Sequence, residues 1–115
     1  MKFKLIMAMV KPQVTEQLVD AMKEEGATGA TITPARGTGV NEGKTFFGLT
    51  VEERTDIVTF LVEEHAVPRL LGTIETRCQF GEPGTGIAFV IPIEQAIGLE
   101  SQMSVFKDQA REEYL

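Results

Sequence analysis

The sequence predicts a single α+β domain, built from an antiparallel four-stranded sheet with two helices on one face. Three observations predict it. Apolar residues recur in the order strand, helix, strand, and then strand, helix, strand again. The first strand is apolar on both faces, so it belongs inside a covered sheet. The 115 residues, 43% hydrophobic and 24% charged, suffice for one globular domain and little more.

The elements follow in order. Phe3, Leu5, Met7 and Met9 alternate with Lys4, Ile6, Ala8 and Val10, and Lys11-Pro12 ends that strand. Val14, Leu18, Ala21 and Met22 share one helical face, and Gly26 supplies the stop. Ala30 to Thr33 is a short β-branched strand that Pro34 assigns to an edge or an end. Residues 36–54 break the pattern, with four glycines between positions 37 and 48, and read as a long loop. In so small a domain such a loop is usually functional or disordered. Asp56 to Val62 returns to strand character and Glu63-Glu64 closes it. His65 to Pro68 opens a second helix, whose apolar face is Val67, Leu70, Leu71, Ile74 and Cys78. Residues 81–86 form a tight glycine loop, Ile87 to Ile91 a last buried strand, and Glu94 to Ile97 a short helical turn. The tail from Ser101 to Leu115 reads as a docking helix or a frayed end. Two split βαβ halves of this order make the ferredoxin-like arrangement. The face of the sheet without helices needs a cover, and self-association would supply it.

Composition excludes several functions. The net charge is −6, from 11 basic and 17 acidic residues, with no basic stripe for a phosphate backbone, so nucleic acid is not an expected partner. No apolar run approaches the roughly 20 residues that span a bilayer, so no membrane insertion is expected. The opening residues read as a first strand rather than a signal peptide. With Cys78 the only cysteine, no internal disulfide can form, and the expected location is the cytoplasm. His65 beside Glu63 and Glu64 could in principle exchange protons, but it reads better as a solvated histidine at an acidic helix start. Cys78 reads as an inert core thiol. One cysteine and one histidine cannot supply a zinc site from a single chain.

The glycine segments carry more chemistry. Arg36-Gly37-Thr38-Gly39 leaves the second strand with a guanidinium, a hydroxyl and two glycines, and Gly84-Thr85-Gly86 precedes the last strand. Successive backbone N–H groups in such segments form anion-binding nests. Neither segment matches a P-loop or dinucleotide fingerprint. Phe46-Phe47 sits in the glycine-rich loop, where one ring packs back on the domain or the pair forms a hot spot for a partner.

Four segments in order resemble the PII signalling proteins. They are Met9-Val10-Lys11-Pro12; Gly29 to Thr33 followed by Arg36-Gly37-Thr38-Gly39; Phe80 to Val90; and Glu94-Gln95-Ala96-Ile97. The resemblance implies a PII-like domain over residues 1–100, with a T-loop at about 37–54, a B-loop at about 81–87, and a tail from 101 to 115. It implies a homotrimer that binds an adenine nucleotide (AMP, ADP or ATP) in clefts between subunits. Thr31, Gly37, Thr38, Gly39, Gly84, Thr85 and Gly86 are then the cleft candidates, with Arg36 and Lys44 the charges left to hold an anion. The T-loop, with Asn41, Lys44, Phe46 and Phe47, would engage a membrane transporter or metabolic enzyme. Several positions depart from the family pattern. Ile87 stands where the family has a lysine, Gly98 and Glu100 near its arginine pair, and Asn41 in place of a glutamine. The T-loop is shorter and lacks the modifiable tyrosine, Tyr114 being the only one, so uridylylation there is not expected. The resemblance thus points to a divergent, non-enzymatic regulator whose effector is an adenine nucleotide or a small anion. The alternatives are a trimeric metal- or anion-binding protein of the similarly folded CutA kind, or a small enzyme on the same scaffold.

Overall fold

The computed structural model describes residues 2–27, 29–36 and 54–99, and the backbone of 45–46 and 49–50. Strand β1 (Phe3–Val10) leads into helix α1 (Pro12–Glu24), and β2 (Thr31–Ala35) follows. Two-residue strands β3 (Thr45–Phe46) and β4 (Leu49–Thr50) pair with each other. Strand β5 (Thr55–Glu63), a 3-10 turn at Glu64–Ala66, α2 (Val67–Arg77) and β6 (Gly86–Pro92) complete the order. The four long strands form one sheet in the order β2-β5-β1-β6, all antiparallel. This is the ferredoxin-like arrangement, with each βαβ half split by a strand of the other.

The two-faced apolar pattern of β1 is explained by its central position. Ile6, Ala8 and Val10 are fully buried, and their neighbours Val58, Phe60 and Val62 extend that layer across β5. Leu18, Ala21 and Met22 of α1 close over them, with Leu70, Ile74 and Cys78 from the second helix. Each such aliphatic or aromatic side chain contributes about 1.5–3 kcal/mol on burial, so this layer holds the sheet and helices together. Arg77 reaches across to Glu24, and Gln17 Nε2 donates to the Arg77 carbonyl at 2.5 Å, tying the two helices at one end. Gly26 ends α1 in a Schellman motif, with Ala27 N–H on Met22 O and Gly26 N–H on Lys23 O.

Among the described residues the other face of the sheet has no helix. Leu5, Met7 and Met9 of β1 lie there with Ile57 and Leu61 of β5 and Ile87, Phe89 and Ile91 of β6, all at matched register positions. None of them is fully buried, and Phe89 and Ile91 are exposed. Among the described residues no helix covers this apolar stripe.

Pro34 does sit in an edge strand; β1 has the predicted ends, β2 starts one residue later and ends two later than predicted, and β5 and β6 are each one residue longer at both ends. Two expectations are corrected. The helical turn at Glu94 to Ile97 does not form: residues 93–96 are irregular, a bend follows, and Ile97 is wholly exposed. One isolated turn bears the full nucleation cost, and among the described residues Ile97 has no neighbour to pack on that would offset it. The stretch 36–54 is not wholly irregular, because it contains the β3–β4 pairing. The tail 101–115 lies outside the described residues.

Candidate functional site

The strand directions gather the candidate segments at one end of the sheet. There β1 and β2 finish and β5 and β6 begin. Register pairs set Pro34, Asp56, Val10 and Gly86 in one row across the sheet. The next residues outward are Ala35, Thr55, Lys11 and Thr85, followed by Arg36 on one edge and Gly84 on the other. This rim carries Arg36, which opens one segment predicted to bind a ligand, and Gly84-Thr85-Gly86, which is the other.

The rim also separates them. β2 and β6 are opposite edges of the sheet, with β5 and β1 between. Three strand spacings of about 4.8 Å make roughly 14 Å, so Arg36 and Thr85 do not share one small pocket within a chain. Thr31 stands at the far end of β2, about 13 Å below Ala35 at 3.3 Å per residue, and does not join the rim group of its own chain. Gly37, Thr38, Gly39, Asn41, Lys44 and Phe47 lie outside the described residues. Of Phe46 the backbone is described, within β3.

Two glycines of the B-loop candidate have local reasons to be glycine. Thr85 N–H donates to Glu82 O at 3.4 Å, with Pro83 and Gly84 between them and Gly84 at φ +80°. Proline followed by a positive-φ glycine is the signature of a type II turn. At Gly86 a β-carbon would lie 2.7 Å from Phe80 Cζ and 2.9 Å from Val10 Cγ1, so a side chain there is excluded by packing. The Phe80 ring thus caps the rim where β6 enters.

Sequence reading missed an anchor at the same rim. The Thr15 hydroxyl donates to Asp56 Oδ2 at 2.6 Å, joining α1 to the start of β5 across 41 positions. Thr15 is 8% exposed. Helix α1 has Lys11 at its N-cap, no side-chain cap and no acidic residue in its first turn. Asp56 supplies from another element the negative charge that a helix N-terminus favours. A local motif search cannot find this pair, because only the register brings the two residues together.

The opposite end of the sheet holds the sole histidine. Glu63 caps the 3-10 turn through Oε2, which accepts from His65 N–H at 2.8 Å, while its Oε1 lies 2.8 Å from His65 Nδ1. This hydrogen bond raises the His65 pKa above its ordinary value, and the Glu63 charge adds to it. Partial burial pushes Glu63 upward, but the bonds from His65 outweigh it and leave Glu63 lowered. The His65 side chain is 87% exposed, as expected of a solvated histidine. Cys78 is buried, and burial pushes its thiol above the ordinary value. The 11-residue α2, about 16 Å long, separates the two, so they cannot chelate one ion within a chain. Among the described residues no three His, Cys, Asp or Glu side chains are grouped as metal ligands. No helix among them is long and apolar enough to cross a membrane.

The described residues make a ferredoxin-like domain in which segment 36–54 joins two neighbouring strands of the sheet and a glycine turn lies on the same rim, an architecture that by itself fixes no function. Comparison with known proteins names the family. Residues 3–102 match the family described as Nitrogen regulatory protein P-II. The P-II protein of Rhodospirillum rubrum is 31% identical over 103 residues, which cover 85% of this chain and 92% of that one. The nifHD-region glnB-like protein 1 of Methanococcus maripaludis, named for nitrogen fixation, is 30% identical over 94 residues, covering 81% and 90%. The crystal structure of a PII-like signaling protein from Thermus thermophilus superposes with a TM-score of 0.60 at 27% identity, covering 81% of this chain and 91% of that one. The chain belongs to the P-II family of nitrogen regulatory proteins, a family of regulators rather than enzymes.

Proposed function

We propose that this chain is a homotrimeric sensor that binds a small effector in intersubunit clefts at the rim, and reports it to a partner protein through the segment 36–54. The effector is an adenine nucleotide (AMP, ADP or ATP) or a small anion, and the partner is a membrane transporter or a metabolic enzyme.

The observation that carries this reading is the common rim. Both ends of segment 36–54 and the turn at 82–85 open at one end of the sheet, so a ligand held there touches the base of the output segment directly. Assembly is supported by the apolar face of β1, β5 and β6, which a second and third copy would cover. Lys11 and Arg36 bring positive charge to a chain of net charge −6. Ile87, half-buried in β6, cannot add to it, so a ligand with fewer phosphates suits this rim better than ATP does.

Calorimetric titration with AMP, ADP, ATP and cyclic AMP, each with and without bicarbonate or 2-oxoglutarate, tests the reading, alongside native mass spectrometry for the trimer. Micromolar binding of one nucleotide per chain is expected, with AMP or ADP preferred over ATP. A trimer that binds none of these ligands sinks the effector assignment, and a monomer sinks the intersubunit cleft.

A further inference from the structure

The two helices are unequally built. Helix α1 buries Thr15, Leu18, Ala21 and Met22, and its Thr15 hydroxyl is tied to Asp56 of β5. Helix α2 buries Leu70 and Ile74 within its span, with Cys78 just past its end. Four local features weaken α2. Ala66 at its N-cap offers no side-chain hydrogen bond, since the Glu63 carboxylate serves the 3-10 turn before it. Gly72 stands exposed in mid-helix with open space where a β-carbon would lie, so packing gives no reason for glycine there. The Thr73 hydroxyl donates to Arg69 O at 3.1 Å and the Thr76 hydroxyl to Gly72 O at 2.8 Å. Back-bonds of this kind destabilise and bend a helix. At the far end Phe80 N–H donates to Glu75 O at 3.2 Å and closes a Schellman motif. Its left-handed position is held by Gln79 at φ +56°, where glycine is the unstrained choice. The ion pairs from α2 to α1, Arg69 with Glu25 and Arg77 with Glu24, lie on the surface and add little.

We propose that α2 is a separately opening unit of the fold. It detaches while α1 and the sheet stay folded, and opening exposes Cys78 and withdraws the turn at 82–85 from the rim. Elements with few buried apolar contacts open below the free energy of global unfolding. The rim turn hangs from the end of α2 through Glu82 N–H on Gln79 O at 3.0 Å and Thr85 N–H on Glu82 O at 3.4 Å, so it moves with the helix. A ligand that bridges this turn to the rest of the rim therefore closes the unit, and the order of α2 reports occupancy. That last step rests on the sensor reading; the opening itself does not.

Cys78, the only cysteine and 3% exposed, is the probe. Its labelling by an aromatic disulfide reagent is followed in the native full chain and in Gly72→Ala, Gln79→Gly and Asp56→Ala. Labelling should outpace, by about tenfold or more, the rate that global unfolding measured in urea permits. Gly72→Ala and Gln79→Gly should each slow it about fivefold, the first by helix propensity and the second by relief of strain. Asp56→Ala should leave the rate within about twofold although it lowers global stability, because it loosens α1 and β5 and not α2. A rate equal to the global value, or one that rises in Asp56→Ala by as much as the folding constant falls, overturns the unit. So does a rate indifferent to both Gly72→Ala and Gln79→Gly. AMP that binds in calorimetry should slow labelling by the factor that its concentration relative to Kd sets. Bound AMP without such slowing overturns the link to the rim and leaves the sensor reading standing. A chain that binds no AMP fails the sensor reading, while the variants still decide the opening.

Discussion

At one end of the sheet β5 runs into Glu63, which caps the next turn and holds His65 two residues away. At the other end β1 runs into Lys11 and Pro12, and the acid that serves the following helix comes from Asp56, far along the chain. Both ends face the same problem, a helix N-terminus with unpaired N–H groups. The Glu63 end solves it locally and neutralises its charge on the spot. The rim solves it from a distance, and the residues that lead out of its strands, Lys11 and Arg36, are basic. The difference separates an end that only closes the fold from an end that keeps positive charge available for something else.

Three perturbations break or sharpen that contrast. The largest effect is expected at Gly86→Val, where the new side chain meets Phe80 and Val10; overpacking of this kind costs about 3 kcal/mol. Gly81→Ala, in the same loop but with open space around it, should change stability by no more than about 0.5 kcal/mol. Urea denaturation of both variants checks the pair, and equal losses would mean that Phe80 does not pack as described.

The next effect is Asp56→Ala. It strands the Thr15 hydroxyl and leaves α1 without its acid, a loss of about 2 kcal/mol. Adding Thr15→Val to that background should cost little more, since the two residues act as one unit. Additive losses in the double-mutant cycle would show that the 2.6 Å contact contributes nothing by itself.

The smallest effect belongs to the other end. Because His65 is held above its ordinary 6.5, its contribution to stability is complete below that pH and is lost as pH rises through the folded-state value. Glu63 is held below its ordinary 4.5, so its contribution is present above that pH and fades as pH falls through the lower folded-state value. The pair is strongest between these limits. An NMR titration should find His65 titrating above 6.5, and Glu63→Gln should bring it back down; an unchanged midpoint would show that the carboxylate is not responsible.

Much of this architecture was legible in the residues. β1 announced its central place through Leu5, Met7 and Met9 opposite Ile6, Ala8 and Val10, and Pro34 marked β2 as an edge. Cys78 proved to be core because its spacing on α2 repeats that of Leu70 and Ile74. The closing turn at Glu94 failed because a local pattern says nothing about whether Ile97 finds a neighbour. Both glycine segments were visible, but the two strands between them were not, since only strand order reveals that distance. Asp56 escaped notice for the same reason: register fixes what faces what, and register belongs to the whole sheet.

The closure of segment 36–54 has one more consequence. Ala35 paired with Thr55, and Asp56 held by Thr15, fix the base of the intervening segment independently of its length. Closure entropy grows so slowly that doubling such a segment costs only about 0.6 kcal/mol. The domain can therefore be treated as a socket: foreign sequences can be grafted between Arg36 and Arg54, and new recognition specificities installed, without redesigning the scaffold that carries them.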